Sequence, residues 1–430
     1  MNRFQLAQRI DWDRIMEELR KYYSICGRRP KSTRLMVGLM ILKHRYNLSD
    51  EGVVAGLHEN VYWMAFCGVS PERSEIVEAS TPCKFRRRMG VKGTNFIEAI
   101  LRDQLVQGHK MTHRMMLTDT TAMEKHMAYP TETGLLQRGR IRVMRGIQKL
   151  AALGVEAPRG LRSFTRVSQK VLVNINKLGR DRAERVRDGA YQLVEYARHT
   201  LKHVPQIIEQ VGPVIKRLRQ SGKGKISRKV EAIEKAVRSE SMKLLQVIDQ
   251  TIARYQELPQ GRKLYSMHEP QVTCIRKGKR SKPNEYGSKV SLWVDRHGYV
   301  VGHQEYRDNR QDGKTLADAL RSWEKVFGRL PWGLGADRGY HLREEGAPQE
   351  LGQVERVAIP ARGRYKPPEE RSAWFKRLSA KRAGIEAIIS HLKTDHRMSR
   401  CRYKGFIGDQ MNVSWAVIAW NTKKWMLDTG

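Results

Sequence analysis

Acidic residues are few for a chain of this size. Its 430 residues carry 45 Asp plus Glu against 81 Lys plus Arg, a formal charge of +36. That surplus exceeds what solubility requires and attracts a polyanion. Cysteine is scarcer still. Cys26, Cys67, Cys83, Cys274 and Cys401 are odd in number, widely scattered and without CxxC spacing, which argues against a disulfide framework and a zinc ribbon. Long apolar runs are missing. Stretches such as Leu35 to Leu42 and Val413 to Trp420 fall far short of the roughly 20 residues that cross a bilayer. Asn2, Arg3, Gln5, Gln8 and Arg9 interrupt any apolar start of the kind a signal peptide needs. No repeat or low-complexity tract is evident. The expectation is a cytoplasmic protein with no membrane partner, long enough for two or three domains and an enzyme's interior.

The cations are clustered, in Arg138 to Arg145, Lys216 to Lys229, Arg276 to Lys282 and Arg362 to Arg377. Taken singly such clusters serve as solvated surface. Together they can track phosphates, and nucleic acid is the partner that fits the sum.

Helical spacing of Leu35, Met36, Leu39, Met40 and Leu42 predicts a helix over 33–46,. Ser49, followed by Asp50 and Glu51, predicts an N-cap that opens a second helix through Val53, Val54 and Leu57, extending towards Phe66,. The pair reads equally well as a DNA-reading helix-turn-helix or as a helical hairpin. Arg86, Arg87 and Arg88, after Pro82, are candidate phosphate contacts, and a third helix spans 95–107. Met115 to Leu117 then predict a buried strand that ends in Asp119,. From about Gly134 to Gln260 the pattern is basic and helical, with Val230, Ile233, Val237, Leu244, Ile248, Ile252 and Tyr255 along one face,. Strand signals return at 272–275, 289–294 and 299–305, and again near 332–336 and 357–359. Helices are expected over 314–327, 372–397 and 413–426,. Without the helical insertion this order suits a mixed sheet flanked by helices.

Two-metal phosphoryl transfer needs carboxylates that converge from separate elements on hard divalent ions. Asp119 and Asp337 each follow a predicted strand, and Glu386 sits on a later helix. Singly each is weak, since an Asp after a strand is often a turn former. On that helix Arg382 and Lys393 share the face of Glu386 at 100° per residue, which places cations for DNA phosphates on either side of an acid. The competing explanation is an exposed charge pair at i, i+4, worth a few tenths of a kcal/mol. Asp295, in a hairpin turn, and Asp312, at a helix start, are explained structurally. His341 and His391 lie near the proposed site without forming an HxxxH pair, His396 is read as facing solvent or phosphate, and Glu124 and His126 are supporting candidates.

Several ordered motifs carry a family resemblance. DTTAMEKHMAYPTETGLL from Asp119, CIRKGKRSKPNEYG from Cys274 and ADRGYH from Ala336 look like the DDE transposases of bacterial insertion sequences, in the IS5-like branch of the IS4-type superfamily. Arg382, Glu386 and Lys393 match that superfamily's Y-(2)-R-(3)-E-(6)-K signature, with Ser379 where its tyrosine stands. RPKSTRLMVGLMILKHRYNLSDEGV, from Arg29, is similar to the family's helical N-terminal domain. The resemblance implies an α/β fold: a ribonuclease-H-like mixed sheet core with flanking helices, a helical N-terminal DNA-binding domain and a long helical insertion. The expected boundaries are 1–110 for the N-terminal domain, 111–133 and 263–430 for the core, and 134–262 for the insertion. It further implies that Asp119, Asp337 and Glu386 hold two Mg²⁺ ions, with Mn²⁺ able to substitute, and that the protein cuts DNA at terminal inverted repeats and joins the 3′-hydroxyls to target DNA. A homodimer on paired ends is expected. A DNA-binding regulator without catalysis and a nuclease without strand transfer are the other readings.

Overall fold

The computed structural model describes every residue except 1–2, 25–29, 73–76, 179–181, 277–282, 343–345, 365 and 429–430. Cys26 and most of the basic cluster that begins at Arg276 therefore lie outside the described residues. The chain forms two compact units, 1–126 with 273–430, and 127–272.

The first unit opens with helices α1 (Arg3–Arg9), α2 (Trp12–Arg20), α3 (Thr33–Arg45), α4 (Asp50–Glu59), α5 (Val61–Cys67) and α6 (Ser80–Gln107). Residues 35–44 of α3 are buried without a break, so a helix enclosed on every side cannot enter a DNA groove, and any groove reading falls to its neighbours. Ser49 caps α4 by accepting from the Gly52 N–H. The second predicted helix is two helices: Asn60 takes an extended conformation and its side chain accepts from the N–H groups of Tyr62 and Trp63, which starts α5 afresh,. Likewise α6 begins well before residue 95 and is broken at Gly90, where φ is 58°, a backbone conformation that glycine adopts readily.

Strand β1 (Met115–Lys125) follows, and the chain then leaves for the second unit. That unit is helical: α7 (Glu132–Ala151), α8 (Thr165–Lys177), α9 (Ala183–Lys202), α10 (Val204–Gln220) and α11 (Gly224–Tyr255). Its interior is aliphatic, built on Leu136, Val143, Ile147, Val194, Val237 and Leu244. Two glycines a heptad apart on α7 let α11 come close. A Cβ at Gly139 would lie 2.9 Å from Leu244, and one at Gly146 would lie 2.4 Å from Val237. The α10–α11 turn holds seven Lys or Arg and no acidic residue between 216 and 229.

Back in the first unit come β2 (Thr273–Arg276), β3 (Asn284–Asp295), β4 (Val300–Tyr306), α12 (Leu316–Phe327), β5 (Gly333–Gly335), β6 (Arg356–Ala358), α13 (Ala373–Thr394), β7 (Arg400–Cys401) and α14 (Gly405–Leu427). Among the described residues, seven strands make one mixed sheet in the order β2-β3-β1-β5-β6, with β4 also on β3 and β7 also on β1. β1 pairs antiparallel with β3 and parallel with β5. The far edge of β3 holds β2 along 284–287 and β4 along 289–294, so one long strand serves two short ones. One core cluster combines Trp293, Val301, Leu320 and Trp323 with the N-terminal helices. Another places Val290, Leu292 and Val294 of β3 with Ile385 of α13 and Val413 of α14. β1 runs past Asp119 to Lys125 because β3 and β7 continue to pair with it. The acid expected at the end of a strand is therefore within one.

Candidate active site

Side chains alternate across β1, so Leu117 and Asp119 share a face. Leu117 clusters with Phe375 and Leu378 of α13. One helical turn beyond Leu378, Arg382 donates from Nη2 to Asp119 Oδ2 at 2.7 Å. Register delivers the second acid. Leu117 stands opposite Gly335 in the parallel β1–β5 pair, so continuing both chains by two residues brings Asp337 alongside Asp119. Asp337 Oδ1 accepts from the Gly339 N–H at 2.8 Å, and so caps the 3₁₀ turn Arg338–Tyr340. Its Oδ2 lies 3.9 Å from Arg382 Nη2. Glu386, one turn along α13, accepts from Arg382 Nη1 at 3.1 Å. One guanidinium thus joins the three acids singled out in the sequence.

Exposure is graded across the site. The side chains of Asp119, Asp337 and Glu386 are 14%, 38% and 67% exposed, so the acids lead from the sheet to the surface. Burial pushes the Asp119 carboxyl above its usual pKa; Arg382 opposes the rise and Asp337 adds to it. Burial and a neighbouring carboxylate both disfavour the charged form of an acid, and a divalent cation bound there would favour it. Three carboxylates offer hard oxygen donors of the kind Mg²⁺ and Mn²⁺ take, so the donor set fits. In the present arrangement these oxygens converge on Arg382, and among the described residues no group of three or more His, Cys, Asp or Glu is arranged around a common point.

The other expected residues separate. Arg87 and Arg88 are exposed on α6, with Arg88 over the Tyr23 ring. Arg86 corrects the expectation of a phosphate contact. It is 6% exposed, makes two hydrogen bonds of 2.6 Å to Asp50 and lies over the ring of Tyr403, so it ties α6 to α4 and to the C-terminal segment. Lys393 is half-buried near the end of α13. The Ser379 hydroxyl, at the position of the signature's tyrosine, is buried with no hydrogen-bond partner among the described residues. Glu124 pairs with Arg400 and His391 with Asp395. His396, expected at the surface, is fully buried; its Nδ1 lies 3.2 Å from the carbonyl of His44.

Asp295 is structural as read: it accepts from the N–H groups of Thr112, His297 and Tyr299. Asp312 is not. The 3₁₀ turn Asp312–Thr315 has no side-chain cap, and Asp312 is its first residue, not its cap. Its Oδ1 instead accepts from Thr120 Oγ1 at 2.6 Å and forms an ion pair with Lys289 Nζ at 2.5 Å. Partners 192 and 23 residues away leave no local spacing signal, so sequence reasoning missed the role of this carboxylate.

The mixed α/β core with its carboxylate–arginine cluster has the make-up of a nucleic-acid-processing enzyme. Residues 3–88 match a transposase domain (DUF772) and residues 240–422 match the transposase DDE domain, a span that holds Asp337 and Glu386 and begins beyond Asp119. A Rhizobium meliloti chain described as uncharacterized protein ORF8 in the nfe locus is 33% identical over 179 residues, which cover 40% of this chain and 83% of that one. Two transposase family models thus match separate parts of the chain, and together they support a DDE transposase. No solved structure matches the chain. No described helix is long and apolar enough to cross a membrane.

Proposed function

We propose that the protein is an insertion-sequence transposase of the IS5-like kind, which cuts DNA at the element's terminal inverted repeats and joins the freed 3′-hydroxyls to target DNA. The observation that carries this reading is the single guanidinium of Arg382 in contact with Asp119, Asp337 and Glu386. The sheet order, with β1 central between an antiparallel and a parallel partner, supports a ribonuclease-H-like core. In that core Asp119 and Asp337 are fixed by strand register, and Glu386 is the exposed, adjustable member. These three would hold two Mg²⁺ ions, or Mn²⁺ in their place. Such ions supply activation of the attacking oxygen and charge neutralisation at the leaving one. Arg382 balances the acids and, with Lys393 further along α13, lies where DNA phosphates pass. Arg87 and Arg88 add backbone contacts from α6. The expected domains are an N-terminal DNA-binding segment to about residue 110, a split catalytic core and a helical insertion that adds affinity for DNA. Two element ends make a homodimer the natural assembly, working in the cytoplasm on the nucleoid.

The test is cleavage and joining of DNA that carries the element's ends, with Mg²⁺ or with EDTA, comparing the wild type with Glu386→Ala. The wild type is expected to cut and join only with metal, and the variant to bind DNA while losing at least about a thousandfold in rate, on the order of 4 kcal/mol. Binding without cleavage by either protein would point instead to a DNA-binding regulator. Cleavage that never proceeds to joining would mark a nuclease.

A further inference from the structure

Asp312 reaches the candidate site from the side of the sheet opposite α13. Its Oδ1 accepts from Thr120 Oγ1, and the N–H of the same Thr120 donates to Asp119 Oδ1 at 2.7 Å. Thr120 therefore has one acid at each end. The other oxygen faces Gly339, whose N–H holds Asp337 Oδ1. A Cβ on Gly339 would sit 2.8 Å from Asp312 Oδ2 and 2.9 Å from Asp337 Oδ1, so any larger residue there would displace one of the two carboxylates. Lys289, 8% exposed in its side chain, pairs with Asp312 and also donates to the Arg310 carbonyl at 2.5 Å, which fixes the acid from β3. Asp312 thus binds Thr120 and comes close to Gly339, the two residues whose backbone N–H groups orient the first two acids, and it makes no side-chain cap.

We propose that Asp312, held by Lys289, is a positioning residue that sets the separation and orientation of Asp119 and Asp337 for a divalent cation. The inference rests on reading those acids as a metal centre. A group that orients metal-binding side chains by hydrogen bonds changes metal affinity by about 10- to 100-fold when removed, whereas a group that only stabilises the turn changes the melting temperature and leaves the affinity of the folded protein alone.

The experiment is Mn²⁺ binding to the full-length protein, followed by calorimetry without DNA, for the wild type, Asp312→Asn and Asp119→Asn, with melting curves recorded in EDTA. Asp312→Asn is expected to weaken Mn²⁺ binding about 10-fold or more while still binding element-end DNA, and its cleavage activity should recover as Mn²⁺ is raised. Unchanged affinity in folded Asp312→Asn, alongside lost affinity in Asp119→Asn, overturns the proposal and leaves the metal centre standing. Unchanged affinity in Asp119→Asn overturns the metal-centre reading and this inference with it. If Asp312→Asn does not fold, the charge-balanced double variant Asp312→Asn with Lys289→Met takes its place: weakened Mn²⁺ binding supports the positioning role, and unchanged binding overturns it.

Discussion

Charge is placed differently in the two units. Residues 1–126 with 273–430 include buried ion pairs, beside exposed ones: Lys125 with Asp409, each 2% exposed in its side chain, Arg86 with Asp50, and His303 between Glu98 and Glu305. In residues 127–272 the pairs lie nearer the surface, as in Arg198–Glu195, Arg238–Glu234 and Arg219–Glu231, and the interior is aliphatic. The insertion has 29 Lys plus Arg against 13 Asp plus Glu, a net of +16 in 146 residues; the remaining 284 residues carry 52 against 32, a net of +20. Buried pairs have defined partners and so fix positions, which the proposed three-acid site would require. Surface cations remain available to a polyanion.

The largest expected effect tests whether the buried pairs hold the first unit together. Asp409→Ala strands the Lys125 ammonium beside the Gly405 carbonyl and the Cys401 thiol, and should cost about 3–5 kcal/mol in urea unfolding. Glu234→Ala in the insertion should cost no more than about 0.5 kcal/mol. Similar losses at the two positions would erase the contrast.

An effect of intermediate size comes from pH. Burial pushes the pKa of His396 from 6.5 down to about 4, with the His44 carbonyl opposing. The unfolded chain then takes the proton first, so the stability of the neutral form is complete above about pH 6.5 and is lost as pH falls towards 4. The full loss is about 3 kcal/mol. His303 moves the other way, since Glu98 and Glu305 raise its pKa well above the ordinary value against burial, so the stability its proton contributes is present at low pH and lost as pH rises. Stability measured from pH 7 to 4 should fall less steeply in His396→Asn than in the wild type, and equal slopes would remove His396 from the account.

The smallest effect on stability belongs to the α10–α11 turn. Changing Lys225, Arg228 and Lys229 together to Gln should leave unfolding within about 0.5 kcal/mol while lowering the salt slope of DNA binding by about 2 to 3. An unchanged slope would mean that this turn does not meet DNA.

Much of the secondary structure was legible because it rests on local signals. Ser49 announced α4, the apolar run of 115–117 announced β1, and the spacing of Arg382 and Glu386 already contained the pair seen at 3.1 Å. What escaped was long-range. Arg86 looked like one of three equal cations until α4 supplied Asp50 and the C-terminal segment supplied Tyr403, 36 and 317 positions away. Strand β7 is two residues long and exists only because β1 offers an edge. Asp312 has the pattern of a cap, and only the folded sheet brings Thr120 and Lys289 to it. The three acids were found through motif resemblance together with strand-and-helix placement; their graded exposure and their common guanidinium belong to the tertiary structure.

The separation of β1 from β3 bears on how the molecule is made. Asp119 and its cross-strand partner Leu292 are divided in the chain by the whole helical insertion, so β1 leaves the ribosome more than a hundred residues ahead of the strand that covers it. At about 5–20 residues per second, that interval lasts many seconds, while helical segments with local contacts fold in milliseconds or less. The insertion therefore has time to fold first, and β1 waits with both edges open, a template for β1 of another nascent chain. Expression yield should be limited by this delay, and chaperone supply should matter more for the whole chain than for the insertion alone.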